Sequence, residues 1–408
     1  MPPYLDLTIP PLSPLLQDNA SLFGEAPYFL SVIGSISDDL NFVKSTAIQT
    51  WLFGYEFPNT LLLVGPTGPL HIVSGDKKAA IFEELQKDPR VGREKLTIHK
   101  RGNPDSLPTI LKLVQDAGGK VGGILKDQLP GPMMEEWTKT IHASSAGEDS
   151  VQRVEASLGW AQAMARKDDE ELGNVRLAAK STAAMLKNEV IVRIASALDE
   201  ERRVSHEALS EECEGQLDNS VLRSRLKLPS EVDVEQLDWC YSPIIQSGGK
   251  YELRPSAVSD DNPLTAGIII LSSGLRYKGY CANAARTLLI SPDRKMETNY
   301  TFLLDLQTRL ISRLRDGTTG ADIHGYAIHY IRNNRPDLEE HFVRNCGFGT
   351  GIEFRESAFT LGPNNKRALR SGQVLNLSLG FQNLPRKSGN NNGKDGVYAL
   401  WLVDTVVV

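Results

Sequence analysis

Apolar residues recur at Leu172, Val175, Ala179, Ala183, Leu186, Val190, Ile194 and Leu198. Steps of three and four with no proline between them predict one long amphipathic helix over 172–198. Upstream the pattern changes kind every few residues. A continuous apolar run predicts a buried strand at 28–36, and 41–57 predicts a helix stopped at Gly54. Strands at 61–64 and 71–73 are expected to pair through a turn at 66–69, rich in proline and glycine. Ser74 is the expected cap of a helix that carries Lys77 and Lys78 and runs to Leu85. Strand 96–99, helix 107–117, strand 121–125 and helix 133–140 follow. Such alternation predicts an α/β lobe with a largely parallel sheet.

The pattern breaks at 144–149 and again at 166–171, which predicts two lobes, 1–165 and 166–408. Ser205 is expected to cap a further helix, with Glu207 in its first turn. Beyond it the chain is strand-rich, with helices expected near 300–314 and 322–332. Residues 268–287 predict a hairpin: an apolar run, a tight turn at Gly274, and a second strand ending in Arg286-Thr287. The proline-rich stretch 1–25 reads as an extended lead-in, and 388–396 as a flexible loop.

Composition narrows the function classes. The chain of 408 residues is 40% hydrophobic and 24% charged, an ordinary soluble make-up. Its net charge of −6 argues against a coat for nucleic acid and sets up no repulsion toward a basic partner. The four cysteines form no C-x-x-C pair, which points to buried thiols in a reducing compartment. The N-terminus shows no secretory signal, and no apolar run is long enough for a membrane helix. None of the seven histidines gives an H-E-x-x-H spacing. There is no G-x-S-x-G elbow and no P-loop. His324 and His329 are five apart, off a common helical face.

Four segments then carry a resemblance. The hairpin at 268–287, the glycine frame Gly347-Phe-Gly-Thr-Gly351, the strand after Gly372 and the run Leu402-Val-Asp-Thr-Val406 resemble the pita-bread family of creatinase, prolidase and methionine aminopeptidase. The resemblance implies an N-terminal creatinase-like α/β lobe and a C-terminal aminopeptidase-like lobe. It also implies a site where two aspartates, one histidine and two glutamates hold two divalent ions about 3.5–4 Å apart. Two dications that close repel by on the order of 20 kcal/mol at an effective dielectric of about 20, which carboxylates must offset. At the five ligand positions this chain has Ser272, Asn283, Phe348, Ser378 and Val403. The family's substrate-binding histidines fall at Arg355 and near Arg254. We therefore expect no metal, no cofactor and no peptidase activity.

The departures narrow the resemblance to the N-terminal domain of the large subunit of FACT, a histone chaperone. Residues 44–56, 243–249, 277–281 and 347–356 support it. It implies a non-catalytic domain in the nucleus, on chromosomes, acting in transcription, replication and repair, with core histones as partners. The smaller FACT subunit would bind through domains this chain does not include, and no nucleic acid or membrane is expected. Two alternatives stand beside it: a docking module for replication or repair factors, and a residual metal-dependent X-Pro peptidase. Candidate peptide- or histone-binding residues are Arg254, Glu353, Arg355 and Glu356 in the former substrate cleft. Ser74, Lys77 and Lys78 form a second candidate group at a helix start.

Overall fold

The computed structural model describes residues 16–17, 19–35, 43–65, 69–87, 96–127, 129–144, 151–217, 222–386 and 396–408. Most of the expected lead-in, the turn at 66–68, the break at 145–149 and the loop at 388–395 lie outside them. The chain forms two compact units, Met1–Met164 and Ala165–Val408.

The first unit runs β1 (Tyr28–Ile33), α1 (Lys44–Phe53), β2 (Thr60–Val64), β3 (Leu70–Ser74), α2 (Asp76–Leu85), β4 (Leu96–Lys100), α3 (Ser106–Asp116), β5 (Lys120–Gly123), α4 (Pro132–His142) and β6 (Gln152–Glu155), followed by α5 (Ser157–Ala165). The strands form one sheet in the order β4-β3-β2-β1-β5-β6. It is mixed rather than largely parallel: β2 pairs antiparallel with both β1 and β3, while the outer pairs are parallel. The link from β2 to β3 is too short for a parallel crossover, so it must reverse direction.

Side-chain alternation splits β2 between two cores. Leu62 and Val64 pack with Phe29, Ile48, Leu52, Phe82 and Trp160, while Leu61 and Leu63 pack with Ile110, Val114, Met133 and Trp137. Helices therefore cover both faces, as an all-apolar strand requires. Gly54 ends α1 with φ 68°, its N–H donating to Thr50 O at 2.8 Å. Ser74 is not the cap of α2. It pairs with Lys100 as the last residue of β3, and Gly75 takes the cap position with no side-chain bond.

The second unit opens with α6 (Asp169–Met185), a π turn (Leu186–Val190) and α7 (Ile191–Asp199). Together they are the long helix expected from the apolar spacing, with one wider turn inside it. A capping box of Asp168 and Glu171 starts it. Then come α8 (His206–Glu214), whose cap is Ser205 as expected, α9 (Leu222–Leu226), β7 (Leu237–Gln246), β8 (Ile268–Tyr277), β9 (Tyr280–Leu289), α10 (Arg294–Ile311), α11 (Gly320–Asn334), β10 (Gly347–Gly349), β11 (Val374–Arg386) and β12 (Gly396–Val407).

The hairpin turns later than expected. Lys278 and Gly279, with φ of 48° and 83°, make the two-residue turn between Tyr277 and Tyr280. Gly274 is inside β8 opposite Asn283. A Cβ there would stand 2.7 Å from Tyr241 Cε1, so this glycine makes room for a ring rather than a bend.

The second sheet is antiparallel throughout, in the order β10-β11-β12-β9-β8-β7. Ile269, Leu271 and Leu275 pack with the α6–α7 helix, and Leu375, Leu377, Leu400 and Leu402 pack with α10 and α11. The alternate residues therefore point to the opposite face, where Ile270, Ala285, Trp401 and Val403 form a small separate cluster.

Candidate functional site

Register places all five former ligand positions on that opposite face. Ser272 pairs with Ala285, Ala285 with Val403, and Val403 with Ser378. Asn283 lies two residues from Ala285 on β9. Phe348 pairs with Asn376, two residues before Ser378 on β11. Even spacing along a strand preserves the face, so the five residues converge without any loop rearrangement.

What fills the space between them is a tyrosine. Tyr241 Oη lies 2.7 Å from Ser272 Oγ and accepts from Asn283 Nδ2 at 3.4 Å. Asn376 Nδ2 donates to Asn283 Oδ1. Ser272 Oγ donates to Ala284 O at 3.3 Å. Donors and acceptors then run one way: Asn376 to Asn283 to Tyr241 to Ser272 to the Ala284 carbonyl. Burial pushes the Tyr241 phenol well above its ordinary pKa, so it keeps the proton this chain needs. Thr405 Oγ1 accepts from Asn283 N at 2.9 Å and donates to Asn283 O at 3.1 Å, fixing β9 to β12.

Rings close two of the other three positions, and the third is buried. Phe354 meets Phe348 edge-on at 5.6 Å and Tyr241 edge-on at 5.2 Å. Ser378 Oγ accepts from Trp401 Nε1 at 2.9 Å. Val403 is fully buried. The donor set does not fit a dinuclear metal centre. Two positions offer no donor, three offer neutral oxygen or amide groups, and a tyrosine hydroxyl binds two of those three. Among the described residues no group of three or more His, Cys, Asp or Glu is placed to hold a metal ion.

The Arg286-Thr287 step is a clasp between strands. Arg286 donates to Val403 O and to Asp404 Oδ1, both at 2.8 Å, and Gln307 Nε2 donates to Asp404 Oδ2 at 2.8 Å. Thr287 Oγ1 donates to Trp401 O and accepts from Trp401 N. The glycine frame packs backbone on backbone: a Cβ on Gly347 would stand 1.9 Å from Asn376 O.

The candidate cleft residues separate by burial. Glu356 is 4% exposed and pairs with Lys167 Nζ at 2.6 Å, Lys167 itself being buried. Lys167 Nζ also donates to Ala165 O at 3.1 Å. Glu353 is half-buried in the same segment, and Arg355 is exposed with its guanidinium 5.2 Å over the Phe348 ring. Arg254 is exposed and pairs with its neighbour Glu252 at 2.6 Å. In the first unit, Ser74 is fully buried and its hydroxyl finds no partner among the described residues. Lys77 is exposed, while Lys78 Nζ donates to Pro58 O and is held below the usual lysine pKa, first by burial and then by Arg101. Ser74 therefore does not share a surface with Lys77.

Sequence reasoning missed Tyr241, Asn376, Thr405 and Lys167. Asn376 and Thr405 stood inside motifs already singled out, as polar residues at the same strand parity as the ligand positions. Tyr241 and Lys167 carried no comparable signal. It also missed a second polar trio. His206 Nδ1 lies 2.6 Å from Asp260 Oδ1, and His206 Nε2 lies 2.7 Å from Ser247 Oγ. The Ser247 oxygen already accepts from Thr265 N at 2.9 Å and Thr265 Oγ1 at 3.1 Å, and Ser247 is 5% exposed. A buried oxygen with its lone pairs engaged is a strut for the 247–265 loop, not a nucleophile.

Comparison with known proteins places this geometry. Metallopeptidase family M24 matches residues 174–408, and the FACT complex subunit SPT16 N-terminal lobe domain matches residues 13–157. The chain is 37% identical to the FACT complex subunit SPT16 of Yarrowia lipolytica over 96% of its own length and 38% of that protein's. It therefore spans well under half of the curated relatives it matches. The solved N-terminal domain of FACT complex subunit SPT16 from Eremothecium gossypii superposes with a TM-score of 0.88 at 33% identity, covering 98% of this chain and 93% of that one. The X-Pro aminopeptidase of Thermotoga maritima superposes with a TM-score of 0.65 at 16% identity, over 94% of this chain and 93% of that one. At that identity the likeness concerns the fold alone.

Proposed function

Because the chain belongs to the FACT complex subunit SPT16 N-terminal domain family, on the metallopeptidase M24 fold, we propose that it is a non-catalytic histone- or peptide-binding module of a FACT-type chaperone. The observation that carries the non-catalytic part is the Tyr241 hydroxyl held between Ser272 and Asn283. An M24 peptidase needs charged oxygen ligands and an ion at that point, and here neutral groups satisfy one another. In this reading the chain reuses the former substrate cleft for a basic tail. Glu353 and Arg355 are the cleft residues at its accessible edge, with Glu356 withdrawn into its pair with Lys167. In this reading the protein acts in the nucleus on chromatin, with core histones as partners. No nucleoside-triphosphate site is evident in the sequence, so binding energy alone would do the work.

The test is titration of the 408-residue chain against core-histone complexes, with and without tails, at two salt concentrations. Saturable, tail-dependent binding that Glu353→Lys weakens supports the cleft. Absent binding assigns the chain to docking of other factors. A parallel incubation with Mn²⁺ or Co²⁺ and X-Pro peptides should release no amino acid; turnover would revive the peptidase reading.

A further inference from the structure

Helices α10 and α11 carry a set of rings and guanidinium groups unrelated to the sheet face. Tyr326 and Tyr330, one turn apart on α11, stack at 6.2 Å, and Phe302 of α10 stacks on Tyr330 at 5.6 Å. Arg309 lies 4.7 Å over the Tyr330 ring, and Arg313 lies 3.7 Å over Tyr326. Where α10 ends, a recess of about 490 Å³ is lined by Arg309, Arg313 and Arg315, with Ser312, Thr318 and Asp322 among its other walls.

The carboxylates around this recess are already engaged. Asp305 accepts from Arg309 Nε at 2.8 Å and from the Tyr330 hydroxyl. Asp316 accepts from Arg370 at 3.2 Å. Asp322, the one acidic wall residue, is occupied in the cap of α11, accepting from Thr319 N at 3.0 Å and Thr319 Oγ1 at 2.7 Å. Arg313 and Arg315 pair with no carboxylate among the described residues. The helix dipole accounts for a cation in the last turn, which is Arg309, but Arg313 and Arg315 lie beyond Ile311 where the helix has ended. Two unpaired guanidinium groups thus face one recess, and the ring under Arg313 fixes its plane.

The geometry points to this recess as a binding site for a phosphoryl group carried by a phosphorylated peptide. With Arg309 already paired to Asp305, Arg313 and Arg315 against the one wall carboxylate still leave the recess cationic in a chain of net charge −6. The two hydroxyls are engaged on the backbone, Ser312 Oγ donating to Arg309 O at 2.7 Å and Thr318 Oγ1 to Arg313 O at 3.4 Å. Donation falls to the guanidinium forks, which match a group with three acceptor oxygens and a charge near −2 better than a carboxylate with two. A bounded recess at one helix end suits a single dianion on a flexible chain. A duplex would instead need cations spaced along a stripe. The site stands apart from the histone-binding reading and does not depend on it.

Fluorescence anisotropy tests it. The probes are a fluorescein-labelled peptide mixture, degenerate around a fixed phosphoserine, and its unphosphorylated counterpart. Inorganic phosphate and a short DNA duplex serve as competitors. The phosphorylated mixture should bind about tenfold more tightly or better, and inorganic phosphate should displace it. Arg315→Ala, which removes no ring contact, should weaken binding, and Arg313→Ala with Arg315→Ala should bring it to the unphosphorylated level. Arg332→Ala, on α11 but paired with Glu339, should leave it unchanged. Equal affinity for the two mixtures, unchanged binding by the double variant, or stronger displacement by the duplex than by phosphate would overturn the assignment.

Discussion

Both sheets have six strands, yet they are buried in different ways. The first is apolar on both faces, so β2 reads Leu61, Leu62, Leu63, Val64 and splits evenly between two cores. The second is apolar on one face, while the other carries Ser272, Asn283, Asn376 and Thr405 around Tyr241. Burying polar groups is unfavourable unless they find partners, and here they find one another, with Asn376 Oδ1 left over among the described residues. The difference shows how a face built for cations can persist without them. Every replacement at a ligand position is uncharged, so the face needs hydrogen bonds but no counter-ion. Buried charge remains on β8 at Arg276, 4.0 Å from Asp238, and at the edge of the face, where Lys167 meets Glu356.

That edge is where the comparison breaks most severely. Lys167→Ala would leave a buried carboxylate without its cation, and the expected loss is about 3–5 kcal/mol of unfolding free energy. Urea denaturation followed by circular dichroism measures it. Lys167→Met combined with Glu356→Leu should recover most of the loss, because the pair is then replaced by apolar volume. If Lys167→Ala alone proves neutral, the ion pair contributes no such restraint and the face tolerates charge after all.

Tyr241→Phe probes the network itself. It keeps the ring and its contact with Phe354 but removes the hydroxyl that joins Asn283 to Ser272. A loss of about 1–3 kcal/mol is expected from the groups left unpaired, measured in the same way. A variant as stable as the parent would show that the one-way chain of hydrogen bonds is incidental to this face.

These residues also mark where the sequence was legible. The helix of 172–198 could be read because its period is local, and the π turn inside it does not disturb which residues face inward. The five ligand positions could be read because glycines that tolerate no side chain, such as Gly347, hold the register of the motif. The hairpin was placed but its turn was not. Gly274 looks like a turn residue until the ring of Tyr241 is known to press on it, and Lys278 gives no hint of a positive φ. Tyr241 and Lys167 were illegible for one shared reason. Each acts on a partner far along the chain, Ser272 or Glu356, and no local period encodes that contact.

The smallest expected effect sharpens the comparison from the other side, at a polar pair on the first sheet. His71 of β3 and His99 of β4 approach at 3.1 Å, Nδ1 to Nε2, with the rings stacked. One nitrogen must donate and the other accept, so at most one of the two rings can carry a proton charge while the contact holds. Burial lowers the pKa of both rings, and for His71 the charge of His99 adds to it. In the unfolded chain these groups titrate near about 6.5. As pH falls through that value the unfolded chain takes up protons before the folded one does. Stability is therefore lost progressively below about 6.5, down to the folded values, and is fully present above it. Thermal melts at steps from neutral pH down to about 5 should show this decline, and His99→Gln should flatten it without abolishing the contact. Both rings are partly exposed, so solvent screening keeps the effect below that of Tyr241→Phe. Identical slopes for parent and variant would mean the pair titrates as in the unfolded chain. The pair would then add to the first sheet no polar restraint of the kind on which the second depends.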